Sequence, residues 1–241
     1  MKPTTEPGLL LAFGAHPDDI EFGCGGVIAR ETQAGRKVHF VVCSRGESAT
    51  NGTPRQRTAE ARRGAQHLGA SLEFIDLGGD AHFEPRTAHV LKLAALIRRR
   101  RPEIVLAPTI VENQHPDHVV LGRMVRDAAR LARYGGVREL RPRPAHAIGS
   151  LLFYSVAVEG DPAGIQPVWI DVSAAPVMEA WIQAMRAHET QAKTRPYSAL
   201  QLARAQVNGG RCGLPAAIAL YPNDPLVFDS LAPLGRTARR F

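Results

Sequence analysis

The first half of the chain alternates short apolar runs with segments of helical spacing. Leu9 to Gly14 is a compact apolar run, suited to a strand buried on both faces. Ile20 to Gln33 spaces Ile20, Val27 and Ile28 as a helix does, and Gly35 stands where a helix stops. The same reading predicts strands over Val38 to Cys43, Leu72 to Leu77 and Ile104 to Ala107. It predicts helices over Arg55 to Leu68, Thr87 to Arg100 and Asp117 to Tyr134, with Gly69, Pro102 and Gly135 marking their ends. In the second half, Leu151 to Val156 and Val168 to Val172 read as strands. Ala175 to His188 reads as a helix starting near Ser173, and Leu200 to Val207 as another. The stretch from Gly209 to Phe241 is rich in Gly and Pro and receives no element.

A β-α-β-α-β-α-β-α string predicts an α/β fold: a mostly parallel sheet with helices on both faces. The expected organisation is one domain over residues 1–241. Residues 1–145 form its core, and residues 146–241 form a smaller irregular C-terminal lobe. The Pro-rich stretch Arg141 to Pro144 marks the boundary. Ligands of such sheets bind beyond the carboxyl ends of the strands. The loops Ala15 to Asp19, Ser44 to Glu47, Gly78 to Asp80 and Pro108 to His118 should therefore surround one crevice.

Composition narrows the class. A chain of 241 residues, 44% hydrophobic and 22% charged, reads as an ordinary globular protein. Its three cysteines, Cys24, Cys43 and Cys212, form no C-x-x-C pair, which points to reduced thiols and a cytoplasmic setting. The opening MKPTTEPG lacks a signal-peptide core, and no apolar run is long enough to span a membrane. The net charge is +7, concentrated at Arg98 to Arg101 and between Arg123 and Arg143. No aromatic-interleaved basic stripe accompanies it, so a nucleic-acid partner is not expected. The four consecutive arginines read as a solvated helix end that complements the helix dipole.

Two crevice loops carry the candidate chemistry: Ala15-His16-Pro17-Asp18-Asp19 and His115-Pro116-Asp117-His118. A catalytic zinc site uses three nitrogen or carboxylate ligands and leaves a position open. His16 and Asp19, three apart, can reach one ion, and one histidine of the second loop can supply the third ligand. Asp18 then remains as a base, and the other histidine as an acid or oxyanion donor. That inventory suits metal-assisted amide hydrolysis. Each loop alone also fits plain helix capping. Gly23-x-Gly25-Gly26 lies inside the predicted helix and misses the G-x-G-x-x-G spacing, so it reads as a packing feature and not a phosphate loop.

These two motifs, with Gly25-Gly26, Arg57-x-x-Glu60 and Ala187-His188-x-x-Gln191, resemble the LmbE-like, or PIG-L, deacetylase family. The resemblance implies a Rossmann-like fold, its core over residues 1–145 and its site completed by residues 146–241, and a zinc-dependent N-deacetylase acting on an N-acetylglucosamine-type conjugate. It implies His16, Asp19 and His118 as zinc ligands, a set that iron(II) also fits. It implies Asp18 as general base for the attacking water, His115 as proton donor or oxyanion stabiliser, and Asp117 as the group that orients His115. Homo-oligomeric assembly and a small-molecule N-acetylated glycoconjugate are implied too, with neither nucleic acid nor membrane as partner.

Within the family, Asn51-Gly52-Thr53 followed by Arg57 resembles the bacillithiol-pathway deacetylases, which act on N-acetylglucosaminyl malate. Thr194-x-x-Tyr197 falls where that group has an active-site tyrosine, and Arg57, Arg45 and Glu47 are the substrate-binding candidates. That group commonly has a His-Arg pair before its next strand, whereas this chain reads His146-Ala147. The carboxylate of a malate conjugate would then need another partner, such as Arg45, Arg57 or Arg195.

Overall fold

The computed structural model describes residues 7–112, 115–193, 195–235 and 237–238. The strands are β1 (Leu10–Gly14), β2 (Val38–Val42), β3 (Ser71–Phe74), β4 (Ile104–Pro108), β5 (Ser150–Tyr154), β6 (Val168–Asp171) and β7 (Ala217–Pro222). The helices are α1 (Asp19–Gln33), α2 (Pro54–His67), α3 (Thr87–Arg100), α4 (Pro116–Arg133), α5 (Ala175–Arg186), α6 (Glu189–Ala192) and α7 (Tyr197–Arg211). The strands form one seven-stranded sheet in the order β3-β2-β1-β4-β5-β7-β6. β1 to β5 pair in parallel, and β7 is antiparallel to both neighbours.

Successive residues of a strand point to opposite faces, and β1 shows the consequence. Leu10 and Ala12 join a core with α1, α2, α5 and α7. Leu11 and Phe13 join a second core with α3 and α4. β1 and β4 are therefore apolar throughout, as a sheet covered on both faces requires. α1 packs unusually close to its neighbours. A Cβ on Gly23 would lie 2.3 Å from the Tyr154 ring, and one on Gly25 would lie 2.6 Å from Trp181. The glycines thus serve packing, as their position inside the helix suggested.

Three differences from expectation have local causes. β3 ends at Phe74 because Asp76 accepts the Gly78 N–H at 2.8 Å and turns the chain. The helix expected to run to His188 stops at Arg186 and resumes as α6, and Ser173 donates its hydroxyl to Asp171 while Ala174 is the N-cap. The stretch left without an element contains β7, which lies between β5 and β6. β5, β7 and β6 all extend the sheet begun by the first four strands. The cysteines are buried free thiols. Among the described residues, no helix is long and apolar enough to cross a membrane.

Candidate active site

β1 lies between β2 and β4, so the connections from β1 and β4 leave the sheet in opposite directions. That is the switch point at which a doubly wound sheet opens a crevice. His16 to Asp19 follow β1, and His115 to His118 straddle the start of α4 after β4. The Asp19 carboxylate is fastened by the backbone N–H groups of Ala15 and His16, at 2.8 and 2.9 Å. α4 comes within reach because residue 122 is glycine: a Cβ there would lie 2.3 Å from the Pro108 carbonyl.

Three side chains converge. His16 Nδ1 lies 3.2 Å from His118 Nε2, His118 Nε2 lies 2.9 Å from an Asp19 oxygen, and His16 Nδ1 lies 3.5 Å from the other. Donors about 2.1 Å from a tetrahedral ion stand about 3.4 Å from one another, so the spacing fits one zinc-sized cation. Two imidazole nitrogens facing each other while a third donor closes the triangle is also the chemistry such an ion prefers. The groupings His16, His115, His118 and His16, Asp80, Asp117 lie close enough to hold a cation as well. The Nδ1 triangle is better defined because the far nitrogen, His16 Nε2, is already held by Asp80 at 3.1 Å and Asp117 at 3.2 Å. A carboxylate behind a ligating imidazole fixes its tautomer and orientation.

The fields agree with this. Burial opposes a proton on His16, yet Asp19, Asp117 and Asp80 raise its pKa well above the ordinary value. Burial also opposes charge on Asp19, but His118 and His16 keep its carboxyl well below the usual range. Burial raises the Asp18 carboxyl, with Asp19 adding to the shift, while Arg57, His188 and His16 pull it down. The Arg57 guanidinium donates to Asp18 at 3.0 Å. His115 is lowered by burial first and by its histidine neighbours second. Its Nδ1 accepts the Asp117 backbone N–H at 3.2 Å, so the neutral ring carries its proton on Nε2.

The cleft has a volume of about 380 Å³ and is walled by His16, Asp18, Asp19, His115, His118, Arg57, Asp80 and Tyr197, together with Phe22 and Val156. Residues 48–51 and Gln191 form its rim. A larger cavity of about 590 Å³ opens between α4, the start of β5 and residues 223–228. None of its lining residues is a histidine, so the chemistry belongs to the smaller cleft.

The structure brings His16, Asp18, Asp19, His115, His118, Arg57 and Tyr197 together, and corrects three expectations. The Asp117 carboxylate turns to His16 and to the Ala81 N–H, at 2.7 Å, and not to His115. Glu47 is occupied by the backbone N–H groups of Arg45 and Asp80, both at 3.0 Å, and does not line the cleft. Arg45 lies over the Phe74 ring, also outside the lining. Thr194 falls outside the described residues. Asp80 was in an expected crevice loop but carried no role, and its grip on His16 was not foreseen.

Comparison with known proteins gives the same direction. The PIG-L family pattern, described as GlcNAc-PI de-N-acetylase, matches residues 11–129. The chain is 29% identical over 207 residues to the diacetylchitobiose deacetylase of Thermococcus kodakarensis, covering 79% of this chain and 72% of that protein. It is 31% identical over 140 residues to the 4-oxalmesaconate hydratase of Pseudomonas putida, covering 53% of this chain and about half, 54%, of that relative. The crystal structure of the conserved protein TT1542 from Thermus thermophilus superposes with a TM-score of 0.79 at 28% identity, over 91% of this chain and 96% of that one.

Proposed function

Because the chain belongs to the PIG-L, or LmbE-like, family, we propose that it is a metal-dependent N-deacetylase acting on an N-acetylglucosamine-type conjugate. The observation that carries this reading is the convergence of His16 Nδ1, Asp19 and His118 Nε2 beside Asp18 and His115. Those three residues would hold a zinc ion, which supplies Lewis acidity to the amide carbonyl and to the attacking water.

The remaining steps belong to the chain. Asp18, its carboxyl raised by burial, takes a proton from the attacking water. Arg57 fixes which way that carboxylate points. Water adds to the acetyl carbon, and His115, protonated on Nε2, donates to the developing oxyanion. The C–N bond then breaks as Asp18 returns the proton it took from water to the leaving nitrogen, and acetate and a free amine leave. Asp117 and Asp80 keep His16 from rotating. Phe22, Val156 and Tyr197 offer an apolar wall for the sugar.

The malate conjugate is the finer candidate. Among the described lining residues the only arginine or lysine is Arg57, and its guanidinium is held by Asp18. The test therefore uses two substrates. Purified protein is given N,N′-diacetylchitobiose and N-acetylglucosaminyl malate, and acetate and free amine are measured with chelator and after zinc is restored. Chelator-sensitive release from either supports the reading, and the faster substrate identifies the aglycone class. A second reading, water addition to 4-oxalmesaconate, is favoured by the Pseudomonas putida relative. Turnover of that compound with no acetate from either amide would replace the deacetylase reading.

A further inference from the structure

Behind Asp18 and Arg57 lies a layer of buried polar groups, Glu60, Thr190, Glu21 and His188, that the steps above leave unused. Arg57, Glu60 and Gly64 share one face of α2, three and four residues apart. Arg57 holds Asp18, whereas Glu60, 3% exposed, turns away from the cleft. Its two oxygens accept the backbone N–H of Thr190 at 2.9 Å and the Thr190 hydroxyl at 2.6 Å. Gly64 leaves the notch next along: a Cβ there would lie 2.6 Å from the Glu21 carboxylate and 3.0 Å from His188 Nε2. His188 is wholly buried and lies 3.3 Å from that same carboxylate.

The other side of Thr190 faces the cleft rim. Gly52, at φ +82°, passes so close that a Cβ would meet the Thr190 side chain at 2.7 Å. Gln191 donates to the Asn51 carbonyl at 3.2 Å and to the Thr190 hydroxyl oxygen at 3.1 Å. One short segment thus clamps α2 on one side and the loop before it on the other. That loop also closes over the guanidinium, since a Cβ on Gly46 would lie 2.3 Å from Arg57 Nη1.

We infer that Thr190 is a positioning residue: by holding Glu60 it sets α2 in the register that aims Arg57 at Asp18. Its effect on the rate rests on the deacetylase reading, but its effect on Arg57 does not. A contact that served stability alone would lower the melting temperature and leave the cleft unchanged. A positioning contact changes the aim of a catalytic carboxylate, and small misplacements are costly there.

The test uses zinc-loaded protein and Thr190→Val, which keeps the volume and removes the donated hydrogen bond. The expected result is a fall in kcat of about tenfold, KM within about twofold and unchanged zinc content, with recovery in Thr190→Ser. The second measurement needs no substrate. NMR of the Arg57 guanidinium, identified by its loss in Arg57→Lys, should show hindered rotation in the wild type and averaged signals in Thr190→Val. An unchanged kcat with only a lower melting temperature, or unchanged Arg57 signals, overturns the inference. Should the wild type release no acetate from any amide, the deacetylase reading fails and the NMR result still decides the role of Thr190.

Discussion

At the amino ends of the strands, Arg98 is 3% exposed and donates to the carbonyls of Ala132, Tyr134, Leu140 and Arg143. Near it, Glu73 accepts from Arg99 and Arg100 and contacts His39. At the carboxyl ends, His16 and His118 turn ring nitrogens toward each other, and two acidic residues stand side by side at Asp18 and Asp19. Both ends bury charge. At the amino end donors meet acceptors, and the result ties α3, α4 and β3 together. At the carboxyl end like groups are pressed together, and His118 Nδ1 and Arg57 Nε lack hydrogen-bond partners, while His188 Nε2 meets the Glu21 carboxylate at 3.3 Å. Buried polar groups are normally satisfied, so unpaired donors beside two facing imidazole nitrogens mark where a ligand belongs.

The largest effects should come from breaking the carboxyl end. Asp19→Ala removes a proposed ligand and the clamp on the Ala15 and His16 N–H groups, so we expect zinc to be lost and activity to fall to background. Metal analysis beside acetate release checks both at once. Asp18→Asn should separate the two properties: zinc stays at one per chain while kcat drops by about 10²–10⁴-fold, the range for a lost general base. Near-native turnover in Asp18→Asn would falsify the base assignment.

The amino end should give the opposite phenotype. Arg98→Met fills the space but takes a charged donor from four carbonyls, of which those of Ala132, Tyr134 and Leu140 keep a backbone N–H partner. A buried network broken this way costs about 3 kcal/mol, which for a domain of this size lowers Tm by roughly 6–12 °C. At 25 °C the surviving folded protein should keep its KM and kcat. If Arg98→Met changes turnover as much as stability, the division of labour between the two ends does not hold.

The contrast also separates what local sequence encodes from what it does not. β1 and β4 are legible because a strand covered on both faces is a continuous apolar run between turn residues, and β2 departs from that only at His39. The two motif loops are legible because topology alone sends the residues after β1 and β4 to one crevice. β7 was hidden: Ala216 to Leu220 is a short apolar run between Pro215 and Pro222, and its partners β5 and β6 lie far away in sequence. Arg98 was misread as part of a solvated helix end. Its burial depends on α4 ending opposite it, a tertiary fact absent from four consecutive arginines. The family resemblance implies that Asp117 orients His115. The helix turns its carboxylate instead toward His16 and Ala81, both on other loops.

The smallest expected effect sharpens the amino-end half of the comparison. Burial opposes the charge on Glu73, but His39, Arg100 and Arg99 hold its carboxyl below the ordinary value. A depressed carboxyl contributes stability that is present above the unfolded pKa of about 4.3 and is lost as pH falls through the folded one. Glu73→Gln should therefore cost about 1 kcal/mol or less at pH 7, because its arginine partners are partly exposed. The difference from wild type should stay level down to pH of about 5 and shrink below about 4. Urea unfolding of chelator-treated wild type and variant across that range measures it without interference from the metal site. A difference that persists undiminished in acid would mean that packing, not the carboxylate charge, joins α3 to β3.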